Sequence, residues 1–285
     1  MDAIFQFDPK NPGLTQEMKD KYNEYGYFIL RNVLDAEEMK KMKHVLENNE
    51  EIKKNTYGIA DSEGTHTRVC IWSHPGNDVS GMVARSEKIA GYCEELLDGG
   101  EVYHYHTKFM MKNAKVGGRF EWHQDYGYWY KNGCLFPQIA SVMMAVDRCD
   151  KENGCLQVLR GSHKCGRIDH NFVGGQTGAD PVRVQEIAKK CPLDYVIMDP
   201  GDALYFDCNL LHKSNANPSD KRRWAIVFSY NLKSNDPVYK HHHPNYTPMT
   251  KVPNSAIIEC TNLGEDMSGK DFLDPSTDKT VKADK

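Results

Sequence analysis

The sequence predicts an α+β domain whose core is a jelly roll, with helices gathered on its N-terminal side. Three observations point there. Helix signals occupy the first hundred residues, short strand-like runs follow from residue 103 to residue 232, and turn chemistry separates one run from the next.

The elements follow in order. Residues 15–23 read as a short helix, and the aromatic, apolar run 25–30 as a strand. Asp35, three residues before Glu38, matches a capping box that opens a second helix. Met39, Met42, Val45 and Leu46 then fall at helical spacing on one apolar face. Residues 87–97 form a third helix candidate. The strand candidates are 103–112, 138–146, 156–159, 195–198, 203–206 and 223–232. Between them lie Gly117-Gly118, Asn153-Gly154, Asp199-Pro200-Gly201-Asp202 and Asn217-Pro218, all turn formers.

Two stretches break the rhythm. Residues 163–188 are polar and carry Gly174, Gly175 and Gly178, which predicts an irregular, mobile lid. The expected domain spans 1–262, and the charged stretch 263–285 is expected to be a tail of weak order.

Bulk composition bounds the function. The chain has 285 residues, 39% of them hydrophobic and 27% charged, as in an ordinary globular enzyme. The net charge of −4 comes from mixed signs with no basic stripe, which argues against a nucleic-acid partner. No run approaches the ~20 apolar residues of a membrane span, and residues 1–12 lack the apolar core of a signal peptide. Nine scattered cysteines without a Cys-x-x-Cys pair fit a reducing, cytoplasmic location.

The chemistry centres on Trp122-His123-Gln124-Asp125. On a strand, i and i+2 share a face, so His123 and Asp125 would aim at one point. Alone the pair is weak, since roughly one His-x-Asp is expected by chance among 12 histidines. His212, downstream, supplies a second imidazole. Two histidines and a carboxylate leave three positions of a metal open, which suits iron(II) enzymes that admit a co-substrate and O2. A structural zinc site would be closed by four ligands, usually with cysteine. Arg223 has the opposite parity to Trp224, Ile226 and Phe228, so it faces the other side of its strand, where a guanidinium can clasp a carboxylate.

Other residues have bland readings beside functional ones. Tyr126, Tyr128 and Tyr130 either line a pocket or pack. Arg68 is a candidate for a substrate carboxylate or a solvated side chain. His104 and His106 alternate on a strand and read mainly as packing. His163 reads as a hydrogen-bonded structural residue, and His241-His242-His243 as a surface loop.

These residues resemble the phytanoyl-CoA dioxygenase superfamily, within it the ectoine-hydroxylase-like and free-amino-acid-hydroxylase-like branch, over roughly residues 25–232. The carriers are Trp122-His123-Gln124-Asp125 with Trp129, then Glu152-Asn153-Gly154-Cys155-Leu156 and Gly161-Ser162-His163, then Phe206-Asp207-Cys208-Asn209 through His212 to Arg223. The resemblance implies a double-stranded β-helix, cupin-like core. It implies iron(II) on His123, Asp125 and His212, and 2-oxoglutarate held by Arg223 and Ser214, with Lys108 and Met143 beside it. Trp129 would face the substrate. O2 is the other co-substrate, and ascorbate helps in vitro. Related halogenases replace the carboxylate ligand with a small residue, so Asp125 implies hydroxylation, and the ectoine-hydroxylase-like branch implies a small polar substrate such as the amino acid proline. Hydroxylation of an acyl-CoA or other lipid-derived substrate, or a cupin-type metal enzyme without 2-oxoglutarate, stays open.

Overall fold

The computed structural model describes residues 2–278. β1 (Ile4–Gln6), α1 (Gln16–Tyr25), β2 (Tyr27–Arg31), α2 (Ala36–Asn48) and α3 (Glu50–Lys54) open the chain. Thr15 caps α1 by accepting from the Met18 amide, and Gly26, at φ 83°, ends it two residues beyond the expected stop. Asp35 and Glu38 form the capping box of α2, whose face of Met39, Met42, Val45 and Leu46 is buried as its spacing predicts.

β3 (Tyr57–Ala60), β4 (His66–Ser73) and α4 (Val79–Arg85) follow. The helix expected at 87–97 is instead a π-helical turn (Glu87–Gly91) running into α5 (Tyr92–Leu96). There the Ser86 carbonyl accepts from the amides of Ile89, Ala90 and Gly91, while Lys88 pairs with buried Glu38 at 2.8 Å.

The strands then come in succession: β5 (Val102–Lys112), β6 (Phe120–His123), β7 (Ile139–Ala145), β8 (Leu156–Leu159), β9 (His170–Val173), β10 (Gln176–Ala179), β11 (Leu193–Tyr195), β12 (Ala203–Asp207), β13 (His212–Ser214), β14 (Arg223–Leu232) and β15 (Asp271–Phe272). The short helices α6 (Asp125–Trp129), α7 (Pro181–Ala188) and α8 (Ala256–Glu259) interrupt them. One sheet has the order β1-β2-β12-β7-β14-β5-β4-β15, with β3 on β4; a second has the order β11-β8-β13-β6. From β5 to β8 and from β11 to β14 the chain crosses between the two sheets, which is the jelly-roll winding the strand pattern predicts.

The large sheet is buried on both faces. On β14, Ile226, Phe228 and Tyr230 pack under the helical layer, and the Tyr230 hydroxyl donates to the Ala84 carbonyl of α4. Arg223, Val227 and Ser229 point instead into a cavity between the two sheets. Period-two alternation thus separates an apolar helical interface from a polar interior on one strand.

Two stretches expected to be irregular are ordered. The stretch 163–188 is not irregular: β9 and β10 form a hairpin turned by Gly174 and Gly175, both at positive φ, and α7 follows with Asp180 as cap and Pro181 in its first turn. The glycines serve a turn that needs left-handed backbone. The stretch after residue 262 is ordered as far as it is described. β15 pairs with β4, and Lys270 is buried against Asp78 and Ser80. Its local polarity misleads because those charges are satisfied by distant partners. The expected tail residues 279–285 lie outside the described residues.

Candidate active site

β6 ends at His123 and β13 begins at His212, and the two are paired residues of the antiparallel ladder. Their rings lie 4.1 Å apart. Asp125 is not on the strand, as the i, i+2 argument assumed; it opens α6, and its carboxylate turns back towards both rings. Its Oδ1 is 3.9 Å from His123 Nε2 and 3.6 Å from His212 Nε2. The ligand atoms of the three all lie within 4.8 Å of one another, the one such trio among the described residues.

Backbone carbonyls set the tautomers. His123 Nδ1 lies 2.7 Å from the Glu121 carbonyl, and His212 Nδ1 lies 2.9 Å from that of Leu210. A carbonyl only accepts, so each Nδ1 carries the proton and each Nε2 keeps its lone pair for a metal. Burial, reinforced by the neighbouring His212, pushes the His123 imidazole well below its ordinary range and keeps it neutral.

Gln124, between the two motif ligands, locks the turn. Its side chain donates to the carbonyls of Gly166 and Asn209 at 2.8 and 2.7 Å and accepts from the Ile168 amide at 2.7 Å. Its own amide donates to His170 Nε2 at 2.9 Å. The strand-to-helix step that aims Asp125 is therefore held from both sides.

Deeper in the cavity the chemistry turns cationic. Arg223 is 1% exposed; one Nη donates to the Gly154 carbonyl at 2.8 Å, and its Nε has no partner among the described residues. Lys112, also buried, donates to Ser214 Oγ at 2.8 Å and to the Asn215 carbonyl at 2.6 Å. Burial lowers both side chains' affinity for their protons. A buried arginine at one end of the cavity, with Lys112 behind the lining Ser214, calls for an anion. Phe120, Leu156 and Val227 supply apolar walls.

The structure brings Ser214, Lys108, Met143 and Trp129 to the cavity, alongside the triad and Arg223. Two expected substrate residues lie elsewhere. Tyr126 points away into an aromatic cluster and donates to the Leu135 carbonyl; one residue past Asp125 on α6 it is rotated about 100° from it. Arg68 is exposed on β4, with Thr67 and Val69 on the inward parity. Tyr128 lines the cavity instead and donates to the Thr177 carbonyl of the hairpin at 2.7 Å.

His104 and His106 do not share a face. A β-bulge at Tyr105 turns His106 into the cavity and leaves His104 by Thr107 and Tyr230. The triple histidine is not a mere surface loop either: His243 is part of the cavity wall and stacks on His106 at 4.6 Å. Among the cavity residues missed were His243, Gln176, Thr177 and Asp278. None has a local signal. Lys112 did have one, since it follows Lys108 at even spacing on β5.

The donor set fits iron. It is two neutral imidazoles and one carboxylate, with no thiol, on one side of a point whose other side opens to the cavity. The unpartnered Arg223 Nε and the Lys112–Ser214 pair fit the distal carboxylate of a 2-oxo diacid.

The chain is 26% identical over 242 residues to L-proline trans-4-hydroxylase of Streptomyces griseoviridis, covering 78% of this chain and 88% of that protein. It is 23% identical over 249 residues to ectoine dioxygenase of Stutzerimonas stutzeri (strain A1501), covering 82% of each. EctD from S. alaskensis superposes with a TM-score of 0.71 with bound Fe and 0.68 with 2-oxoglutarate and 5-hydroxyectoine, at 20% and 19% identity, covering 85% of this chain and 88% of that one. The phytanoyl-CoA dioxygenase (PhyH) family profile matches residues 22–225, a stretch that takes in both ligand-bearing strands, Asp125 and Arg223. The chain belongs to the phytanoyl-CoA dioxygenase (PhyH) family.

Proposed function

We propose that the protein is an Fe(II)- and 2-oxoglutarate-dependent dioxygenase that hydroxylates an unactivated C–H bond of a small, amino-acid-like molecule. The reaction consumes 2-oxoglutarate and O2 and yields succinate, CO2 and the alcohol, one oxygen atom going to succinate and one to the product. The observation that carries this reading is the joint placement in one cavity of the triad and, beyond it, of Arg223 with Ser214. The relatives named for proline and ectoine support the substrate class.

His123, Asp125 and His212 hold the metal on one face. Iron bound there supplies the activation of O2 and the oxidative decarboxylation. Arg223 and Ser214 hold the far carboxylate of the co-substrate, with Lys112 orienting Ser214 from behind, fixing how its other end meets the metal. Phe120, Leu156 and Val227 keep water from its methylenes. Trp129 and Tyr128 wall the substrate side, and Gln124 fixes the turn that carries Asp125.

All of this is the work of one domain, because both sheets and α6 line a single cavity. No described helix is long and apolar enough to cross a membrane. Nine unpaired cysteines support a reducing compartment such as the cytosol. The β9–β10 hairpin, which places Gln176 and Thr177 in the cavity, serves as a cover that tightens on substrate. Protection of 170–179 from proteolysis by iron, 2-oxoglutarate and substrate under nitrogen tests it; unchanged cutting with binding confirmed rules it out.

Succinate release measured with Fe(II), ascorbate and a panel of free amino acids, betaines and acyl-CoAs tests the function. Stimulation by a small polar compound is expected. Stimulation by acyl-CoAs alone would move the substrate class, and metal-loaded protein that never consumes 2-oxoglutarate would overturn the reading.

A further inference from the structure

Two members of the metal triad belong to the small sheet, and the third is tied to the large one. His123 and His212 are fixed by the ladder of β6 and β13. Asp125 opens α6, and the hydrogen bonds of Gln124 fix where that turn begins. The side-chain torsions of Asp125 remain to be set. Among the described residues, one hydrogen bond reaches its carboxylate: Ser141 Oγ, on β7, lies 3.4 Å from Oδ2. The other oxygen, Oδ1, is the one that faces Nε2 of both histidines.

Ser141 is the only polar residue of β7. Its strand is paired on both sides, with Phe206 of β12 and Ser229 of β14 as register partners, so its backbone has little freedom. It shares the inner face with Met143, which lines the cavity. Ser141 and Ser229 are both fully buried, and their Oγ atoms lie 3.0 Å apart. Buried hydroxyls are costly unless they are hydrogen-bonded. A carboxylate only accepts, so Ser141 donates to Asp125. With that proton used, Ser141 accepts from Ser229. The carboxylate at the end of the chain thus sets the direction of both bonds.

We infer that Ser141, backed by Ser229, is a positioning residue that holds Asp125 as a single-oxygen ligand. This rests on the metal assignment within the proposed function. A carboxylate that offers both oxygens takes two positions on a metal, and one that offers a single oxygen takes one. With Oδ2 held by Ser141, the triad takes three positions and leaves three open for a 2-oxo acid and O2. Lys108 also feels the charge of Asp125, yet it stands over Phe120, and the directional contact is that of Ser141. The two sheets thereby share the metal site: the small one sets the imidazoles, and the large one sets the carboxylate.

The test measures three properties of the full-length protein: iron(II) affinity under nitrogen, the visible charge-transfer band that forms when 2-oxoglutarate chelates the bound iron, and the thermal melt. Ser141→Ala should weaken iron binding by about 10-fold or more, the usual loss when the partner of a metal ligand is removed. Its charge-transfer band should shift or weaken, in protein that still melts cooperatively. Ser141→Thr keeps the hydroxyl and should bind iron as the wild type does. Ser229→Ala should weaken iron binding by only about 3-fold, the scale of one neutral hydrogen bond, because Ser141 can still donate. Ser229 acts through Ser141, so the double variant should match Ser141→Ala alone. Wild-type iron affinity and an unchanged band in folded Ser141→Ala would overturn the assignment. So would multiplying losses in the double variant. Unchanged iron affinity in Ser229→Ala would overturn the pairing even if Ser141→Ala fails to fold. Wild-type protein that binds iron but never consumes 2-oxoglutarate would instead bring down the proposed function, and the iron affinities would still decide the role of Ser141. Wild-type protein that takes up no iron would bring down the metal assignment and this inference together.

Discussion

His123 and His212 are paired across β6 and β13, so the antiparallel register itself sets the distance between the two imidazoles. Each presents Nε2 because a carbonyl two residues earlier in its own chain occupies Nδ1. Backbone pairing fixes this register. His123→Ala or His212→Ala should therefore remove iron binding and succinate formation while the protein still melts cooperatively. Iron stoichiometry after desalting and a thermal melt check it. Full turnover in either variant would sink the metal assignment.

Arg223 and Arg222 are neighbours on the chain with opposite duties. Arg223 is buried in the cavity, while Arg222 turns outward to Glu47 and Asp147 and lies over the Trp224 ring. Arg223→Leu is expected to raise the KM for 2-oxoglutarate about 10-fold or more, since a charge-assisted hydrogen bond contributes on the order of 1.5–3 kcal/mol. Arg222→Leu should leave that KM within about 2-fold, because the lost pairs are partly solvated. The reverse order of sensitivity would mean that the strand faces are misassigned.

Trp129 meets Tyr105 and His106 edge-on at 5.6 and 5.8 Å and is nearly buried. Trp129→Ala should cost about 3–5 kcal/mol of stability as a large core truncation, so Trp129→Phe is the cleaner probe. With either, the ratio of succinate formed to substrate hydroxylated should rise, with little change in 2-oxoglutarate KM. A larger effect on 2-oxoglutarate KM than on coupling would place Trp129 at the wrong end of the cavity.

Two buried histidines predict acid sensitivity. Burial pushes His106 down to about 3 and His170 down to about 4. The unfolded chain takes up protons near pH 6.5 and the folded one does not, so their contribution is fully present above about pH 6.5 and is lost as pH falls towards 4 and then 3. The melting temperature should drop between about pH 7 and pH 5. His170→Gln, which can still accept from the Gln124 amide, should show a shallower drop. An equally steep profile would place the acid-sensitive group elsewhere.

Much of the site was legible because it is built from local patterns. Parity on one strand separated Arg223 from Arg222. The capping box at Asp35 and the apolar face of α2 were readable because a helix repeats within a few residues. The convergence of the two motif residues was readable for a partly mistaken reason. His123 and Asp125 do converge, yet Asp125 does so from the first turn of α6, where the chain has left the strand.

The sequence by itself determined the donor types that the motif offers, the alternation of β14 and the helical layer, since each depends on residues within one or two turns of the chain. The tertiary structure alone decided which further side chains wall the cavity. A bulge at Tyr105 parts His106 from His104, a register shift set by the partner strand. His243 and Asp278 reach the cavity because buried pairings elsewhere, such as Lys270 with Asp78, bring their segments back over it. Tyr126 and Arg68 were lost from the site for the same cause: the faces they occupy are chosen by how α6 and β4 pack. Such placements follow from contacts between residues far apart in the chain, and these leave no periodic trace in the sequence around either partner.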